Sequence, residues 1–263
     1  MLNSILGIDF SAARDAGRRI WITRAHINDD ALRILEVSDL ASLLSVTPSP
    51  DDCLPALVDS LCQQPPAIIG IDAPLSVPLR FMPDGYERFV RDCDLTADQL
   101  REQIRDEKRK CDTEASTPFA PGNLRMYRQT HAVITRVIRP LVKRHAASVQ
   151  PMMDASHDQH VLIEACPASS LRTAGRVGEL ELRPYKGRSA EHRKQRAVIL
   201  DWLMTKRVLD VPDRLRRRLL DNSGGDALDS LICAVITACA RRDLNSPCAD
   251  HHEREGRVFF KLD

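Results

Sequence analysis

Ser4-Ile-Leu-Gly-Ile-Asp9 and Ala67-Ile-Ile-Gly-Ile-Asp72 are two short apolar runs that close on the same tripeptide, Gly-Ile-Asp. A run of this length that ends in a carboxylate predicts a buried strand stopping at a polar edge. Between them, residues 51–62 carry Leu54, Leu57, Val58 and Leu61 at the i, i+3, i+4, i+7 spacing of an amphipathic helix. Pro48 and Pro50 precede that helix and Pro65-Pro66 end it, so it should begin near Asp51. Strand, helix and second apolar strand together predict a parallel pair joined by a crossover and covered on both faces. Asp9 and Asp72 would then leave the carboxyl ends of neighbouring strands, where open α/β sheets bind their ligands.

Working outward, Arg19-Ile-Trp-Ile-Thr23 and the run 32–37 extend the first strand into an antiparallel meander, although no Asn-Gly or Asp-Gly marks the turns. Val161-Leu-Ile-Glu164 is a third apolar run ending in an acid, followed by Pro167 and a short helix. The two prolines of Ala73-Pro-Leu-Ser-Val-Pro78 take the chain out of the sheet. Residues 87–109 are charged and helix-prone, and 127–144 carry an apolar stripe of Val133, Val137, Ile138 and Leu141. Residues 80–155 therefore read as a mostly helical insertion within a single domain spanning 1–263. After Tyr185-Lys186-Gly187, a loop, come a basic helix over 189–206 and another over 213–220. Gly224-Gly225 then introduces a helix from Asp226 that is apolar on most of its circumference, the mark of a helix buried on a sheet. The fold class expected is α/β: a mixed sheet, antiparallel meander then parallel strands, flanked by helices.

Asp226 and Asp229 are separated by about 60° around their helix, so they share one side of it. With Asp9, Asp72 and Glu164 they make five acids at element ends facing one region. Clustered carboxylates repel, and a cation relieves them; hard, oxygen-loving Mg²⁺ or Mn²⁺ is the natural occupant. Two such ions about 3.5–4 Å apart activate a water and stabilise the leaving oxygen of a phosphodiester displacement. A structural explanation exists for single acids: Asp226 in a first helical turn meets the helix dipole, and Asp72 before Ala-Pro suits a turn. Other chemistries lack their motifs, with no Gly-x-Gly-x-x-Gly, Gly-Lys-Ser/Thr, His-Glu-x-x-His or Gly-x-Ser-x-Gly. His157 and His160 read as a polar loop beside Pro151, and His251-His252 as solvated.

Length and a 43% apolar content allow a substantial core. The first seven residues have no secretory pattern and no later run could span a bilayer, which predicts a cytoplasmic protein without a membrane partner. Eight cysteines with no Cys-x-x-Cys pair predict reduced thiols rather than disulfides or a zinc site. The net charge of +1 is uneven: residues 101–218 hold 25 Lys and Arg against 14 Asp and Glu, leaving 13 against 23 elsewhere. Such asymmetry suits a polyanionic partner, or simply basic side chains coating solvated helices. Oligomeric state leaves no sign in the sequence.

Along nearly its whole length the chain resembles an uncharacterised family of predicted RNase-H-like nucleases within the ribonuclease-H-like superfamily. The resemblance rests on Gly7-Ile-Asp9, Ile71-Asp72-Ala-Pro-Leu-Ser-Val-Pro78, Arg109-Lys-Cys-Asp112 with Pro118-Phe119, Glu164-Ala-Cys-Pro167, Tyr185-Lys186 with Arg193, and Asp226-Ala-Leu-Asp229, in that order. The order of acids is also similar to that of the Holliday-junction resolvases. The resemblance implies a ribonuclease-H-like fold, Asp9, Asp72, Asp226 and Asp229 as metal ligands, and Glu164 as a fifth ligand or as the base that orients the attacking water. It implies that Lys186 and Arg193, and also Arg109, clamp a phosphate or transition-state charge of a nucleic-acid or nucleotide substrate. Related sequences often carry Asp-Asp where this chain has Gly225-Asp226. Two other readings stay open: an actin-like or kinase-like nucleotide-phosphate enzyme of the same superfold, which would need a glycine-containing phosphate loop that Asp9-Phe-Ser-Ala-Ala13 lacks, and a catalytically inactive nucleic-acid-binding module.

Overall fold

The computed structural model describes residues 2–29, 31–244 and 246–262. Its centre is a mixed sheet of eight strands, β1 (Ser4–Asp9), β2 (Trp21–Asn28), β3 (Ala31–Asp39), β4 (Ile68–Asp72), β5 (Ala147–Val149), β6 (His160–Ala165), β7 (Leu209–Asp210) and β8 (Val258–Phe259). The spatial order is β5-β6-β4-β1-β2-β3-β7, and β8 joins β6 beyond the end of β5. β1, β2 and β3 form the antiparallel meander, while β4 and β6 continue from β1 in parallel. This is the mixed α/β sheet expected from the sequence.

The crossover between β1's meander and β4 contains the helix Pro50–Gln63, one residue longer at each end than the range 51–62 read from the sequence. Ser49 caps it by accepting from the Asp51 amide, Pro50 occupies the first turn, and Leu54, Leu57, Val58 and Leu61 are buried. The regular elements between β4 and β5 are all helices, joined by turns and loops, and most of them pack on one face of the sheet. β5, β7 and β8, two or three residues each, were not foreseen, because a strand that short shows no alternation. His160, read as part of a loop, begins β6 and is buried: its Nδ1 accepts from the Ala67 amide at 3.0 Å, which leaves Nε2 to donate to the Leu61 carbonyl at 2.8 Å.

The opposite face is covered by the helix Asp226–Ala240, whose residues are nearly all buried. The two Gly-Ile-Asp motifs explain how it gets so close. A Cβ on Gly7 would lie 2.1 Å from the Ser230 carbonyl oxygen and 2.3 Å from the Ala234 nitrogen; one on Gly70 would lie 2.0 Å from Thr237 Oγ1. The helix therefore rests on the backbone of β1 and β4. Gly7→Ala is expected to destabilise the fold by about 3 kcal/mol or more, at the top of the range for overpacked cores, because its obstacles are main-chain atoms. Gly70→Ala should cost less, since the Thr237 hydroxyl can rotate away. Urea unfolding of both variants measures the difference, and a wild-type midpoint for Gly7→Ala would disprove this account of the packing.

Candidate active site

Asp9 and Asp72 are direct partners in the parallel β1–β4 register. Alternate residues of a strand share a face, so both acids point to the side on which Gly7 and Gly70 meet the Asp226–Ala240 helix. That helix begins at the same end of the sheet, and its first turn supplies Asp226 and Asp229. Four of the five expected acids thus come together. Asp9 and Asp226 line an open cleft with Ser11, Arg19, Gln129 and Lys186. Asp229 lies deeper, at 3% exposure.

Lys186 pairs with two of these four carboxylates. Lys186 Nζ is 2.6 Å from Asp229 Oδ2 and 4.0 Å from Asp226 Oδ1, while the Tyr185 hydroxyl donates to Asp229 Oδ1 at 2.7 Å. Crowding shows in the acidities. Burial, then the charges of Asp229 and Asp72, push Asp9 well above the usual carboxylate range, against the pull of Lys186. Asp72 is pushed up to about 7, by burial first and by Asp229 next. Burial also raises Asp226, with Lys186 opposing it. Lys186 is held above its ordinary value because Asp229 and Asp9 outweigh its own desolvation. Burial, and after it the neighbouring Asp229 charge, keep the Tyr185 phenol protonated, which suits its role as donor.

Glu164 does not join them. It pairs with Ile71 rather than with Asp72, one residue out of the acidic row, and therefore points to the other face of the sheet. There Arg109 holds it with two bonds, Nη1 to Oε2 at 2.8 Å and Nη2 to Oε1 at 2.6 Å, and the Leu75 amide donates to Oε2 at 3.0 Å. The expectation of a fifth ligand or a water-orienting base is corrected by this parity. Arg109, expected to clamp a substrate phosphate, is 1% exposed and is spent on Glu164, Asp112 and the Ser76 hydroxyl. Through Ser76, and through Glu164 to the Leu75 amide, these bonds tie it to the 73–78 loop that follows Asp72. Burial raises the Glu164 carboxyl and Arg109 pulls it back.

Arg193 is likewise away from the acids, half exposed and bonded to Asp221 at 2.9 Å. The arginine that serves the Lys186 loop is Arg196, one turn further along the helix Ala190–Lys206. Buried at 2% exposure, it donates to the main-chain oxygens of Tyr185, Gly187 and Leu220. Sequence reasoning missed Arg196, although its spacing to Ile199, Leu200 and Leu203 puts it on the apolar stripe. It also missed the Tyr185 hydroxyl, and Arg19 at the cleft. Gly225, where related sequences often have an aspartate, adopts φ +82°, and a Cβ there would meet Tyr185 Cε2 at 2.9 Å and Lys186 Cγ at 3.0 Å. The space of that absent carboxylate belongs to the Tyr185-Lys186 pair.

His251 and His252, expected in solvent, both turn Nε2 to Glu114, at 2.8 and 2.7 Å. These three side chains could hold a metal ion, but the separations are those of hydrogen bonds, and the cluster ties the helix Asp250–Glu255 to the helix Lys110–Glu114. The basic excess over 101–218 is partly consumed internally: Arg139, Arg172, Arg196 and Arg218 donate to main-chain carbonyls, and Arg136, Arg144 and Arg216 to aspartates. Among the described residues no disulfide forms, and no helix is long and apolar enough to cross a membrane. A family model, described as a protein of unknown function (DUF429), matches residues 7–254. Searches of curated proteins and of solved structures find no match.

Proposed function

Given that the chain belongs to the DUF429 family, we propose from its site that it is a divalent-metal-dependent nuclease of the ribonuclease-H-like kind, hydrolysing phosphodiester bonds of a nucleic acid or nucleotide. The observation that carries this reading is the meeting of Asp9, Asp72, Asp226 and Asp229 with Lys186, at a place where Asp9 and Asp226 line an open cleft. Buried carboxylates with raised pKa values are unstable neighbours until a cation joins them, and an all-oxygen donor set suits Mg²⁺ or Mn²⁺. Asp9, Asp72 and Asp226 would hold the metal, with Asp229 behind them. Bound there, it would supply Lewis-acid polarisation of a phosphoryl oxygen and acidify a water.

The chain's own groups account for the rest. Arg19, at the cleft, and Lys186 offer positive charge to a phosphate oxygen. Asp72, with a pKa near 7 in the metal-free site, would give up its proton as the metal binds. The strand order β3-β2-β1-β4-β6, with acids at the ends of β1 and β4 and on a C-terminal helix, supports the ribonuclease-H-like assignment. The alternative of an actin-like or kinase-like phosphate enzyme gains nothing from residues 10–13, which have no glycine.

A panel of labelled single-stranded, double-stranded and branched DNA and RNA, with nucleotides, tests the proposal in the presence of Mn²⁺. Expected are cleavage that EDTA abolishes and binding that weakens with salt, by about one unit in log–log slope for each phosphate contacted. Hydrolysis of ATP alone would transfer the protein to the kinase-like class. Salt-sensitive binding without any cleavage, by protein shown to bind Mn²⁺, would favour an inactive nucleic-acid-binding module.

A further inference from the structure

We propose that the Lys186 ammonium is a resident second cation, so that the site takes one divalent ion where two would be expected from its acids. This rests on the metal-dependent reading above. With all four carboxylates ionised, Asp9, Asp72, Asp226 and Asp229 against Lys186 leave a net charge of −3. One divalent ion brings that to −1; two, with Lys186 in place, would carry it to +1 in a partly buried setting. Glu164 stays outside this sum, because Arg109 and the Leu75 amide hold it on the far face.

The geometry agrees with the charge. Nζ sits against both acids of the helix, at 2.6 Å from Asp229 and 4.0 Å from Asp226, and so occupies carboxylate oxygens that a second metal ion would need. Both Asp229 oxygens are engaged by the chain itself, Oδ2 by Lys186 and Oδ1 by the Tyr185 hydroxyl. The main chain that carries the lysine is held as well. Arg196 grips the main chain on either side of it, the Gly187 amide donates to the Ser223 carbonyl at 2.7 Å, and the Tyr185 ring and Lys186 stem lie on Gly225. An ammonium placed in this way screens Asp226 and Asp229 from each other and leaves Asp9 and Asp72, which form no ion pair among the described residues, to recruit a metal together with Asp226.

Mn²⁺ titration of the full chain by calorimetry, with electron paramagnetic resonance of the bound ion, counts the sites without reference to activity. Wild type should bind one Mn²⁺ per chain with an uncoupled signal. Lys186→Met should bind two, with the spectrum of a coupled pair, and Lys186→Arg should return the count to one; thermal melting checks that each variant is folded. Two coupled ions in wild type, or one in folded Lys186→Met, would overturn the proposal while leaving a metal-dependent enzyme in place. If Lys186→Met fails to fold, two coupled ions in wild type would still overturn the proposal. Absence of any Mn²⁺ binding to wild type would end both this inference and the nuclease reading beneath it.

Discussion

Asp9→Asn is expected to lower metal-dependent cleavage by on the order of 10²–10³-fold or more and, at the same time, to make the metal-free protein more stable at pH 8. The two effects have one cause. In wild type, burial and the neighbouring Asp229 and Asp72 charges raise the Asp9 pKa, so ionising it in the folded state works against the fold. The sign follows from linkage. A carboxyl whose folded pKa exceeds its unfolded value of about 4 binds more protons folded than unfolded. Its stabilising effect is therefore complete below about pH 4 and is lost as the pH rises, for Asp72 up to its folded value of about 7. Metal-free wild type should accordingly lose melting temperature between about pH 4 and 7, and Asp9→Asn or Asp72→Asn should lose less. Mn²⁺ should reverse the trend, raising the melting temperature of wild type more at pH 8 than at pH 5, because deprotonated ligands bind metal. Melting curves across this range, with and without Mn²⁺, supply the check. A metal-free Asp9→Asn that melts below wild type at pH 8, or one that cleaves as well as wild type, would remove the acidic cluster from the mechanism.

The second large effect lies on the opposite face. Arg109→Met should cost about 3–5 kcal/mol, the usual penalty for removing one partner of a buried ion pair. Glu164 and Asp112 would both keep buried charges with no arginine to answer them, and the Ser76 hydroxyl would lose a partner as well. Glu164→Gln should be milder, since Asp112 still neutralises Arg109 and the amide oxygen can still accept from Leu75. Urea unfolding of the two variants orders them. A loss below about 1 kcal/mol for Arg109→Met would match an exposed pair and contradict the burial described here. If Arg109 acts through the 73–78 loop rather than on a phosphate, any residual activity should fall in turnover with the loop's disorder and keep its salt dependence.

The legible part of this site was the part written twice. Gly-Ile-Asp at residues 7–9 and 70–72 signalled two equivalent strand ends, and the acidic start of an apolar helix signalled what would lie beside them. Glu164 shows why a strand-end acid alone is not enough: pairing with Ile71 turns it away, and only the register decides this. A clue was present two residues earlier. Gly7 and Gly70 precede their aspartates by two, whereas Leu162 precedes Glu164, and a leucine could not face the helix at the distance the glycines allow. The choice between Arg193 and Arg196 depended on which turn of one helix reaches the body of the protein, and the apolar stripe favoured Arg196. The donors on Asp229 were harder to find, because a hydroxyl's partner 44 residues away leaves no pattern in a sequence.

Only a hydrogen atom separates strand from helix at Gly7, and this has a consequence for the two halves of the acidic cluster. Their spacing is gauged by touching main chains, which have no alternative rotamers and no slack to take up. Side-chain drift elsewhere can tune the rim of the cleft, but it cannot open the jaws that carry the aspartates. Widening them would mean lifting an entire helix off the sheet, and with it most of one core.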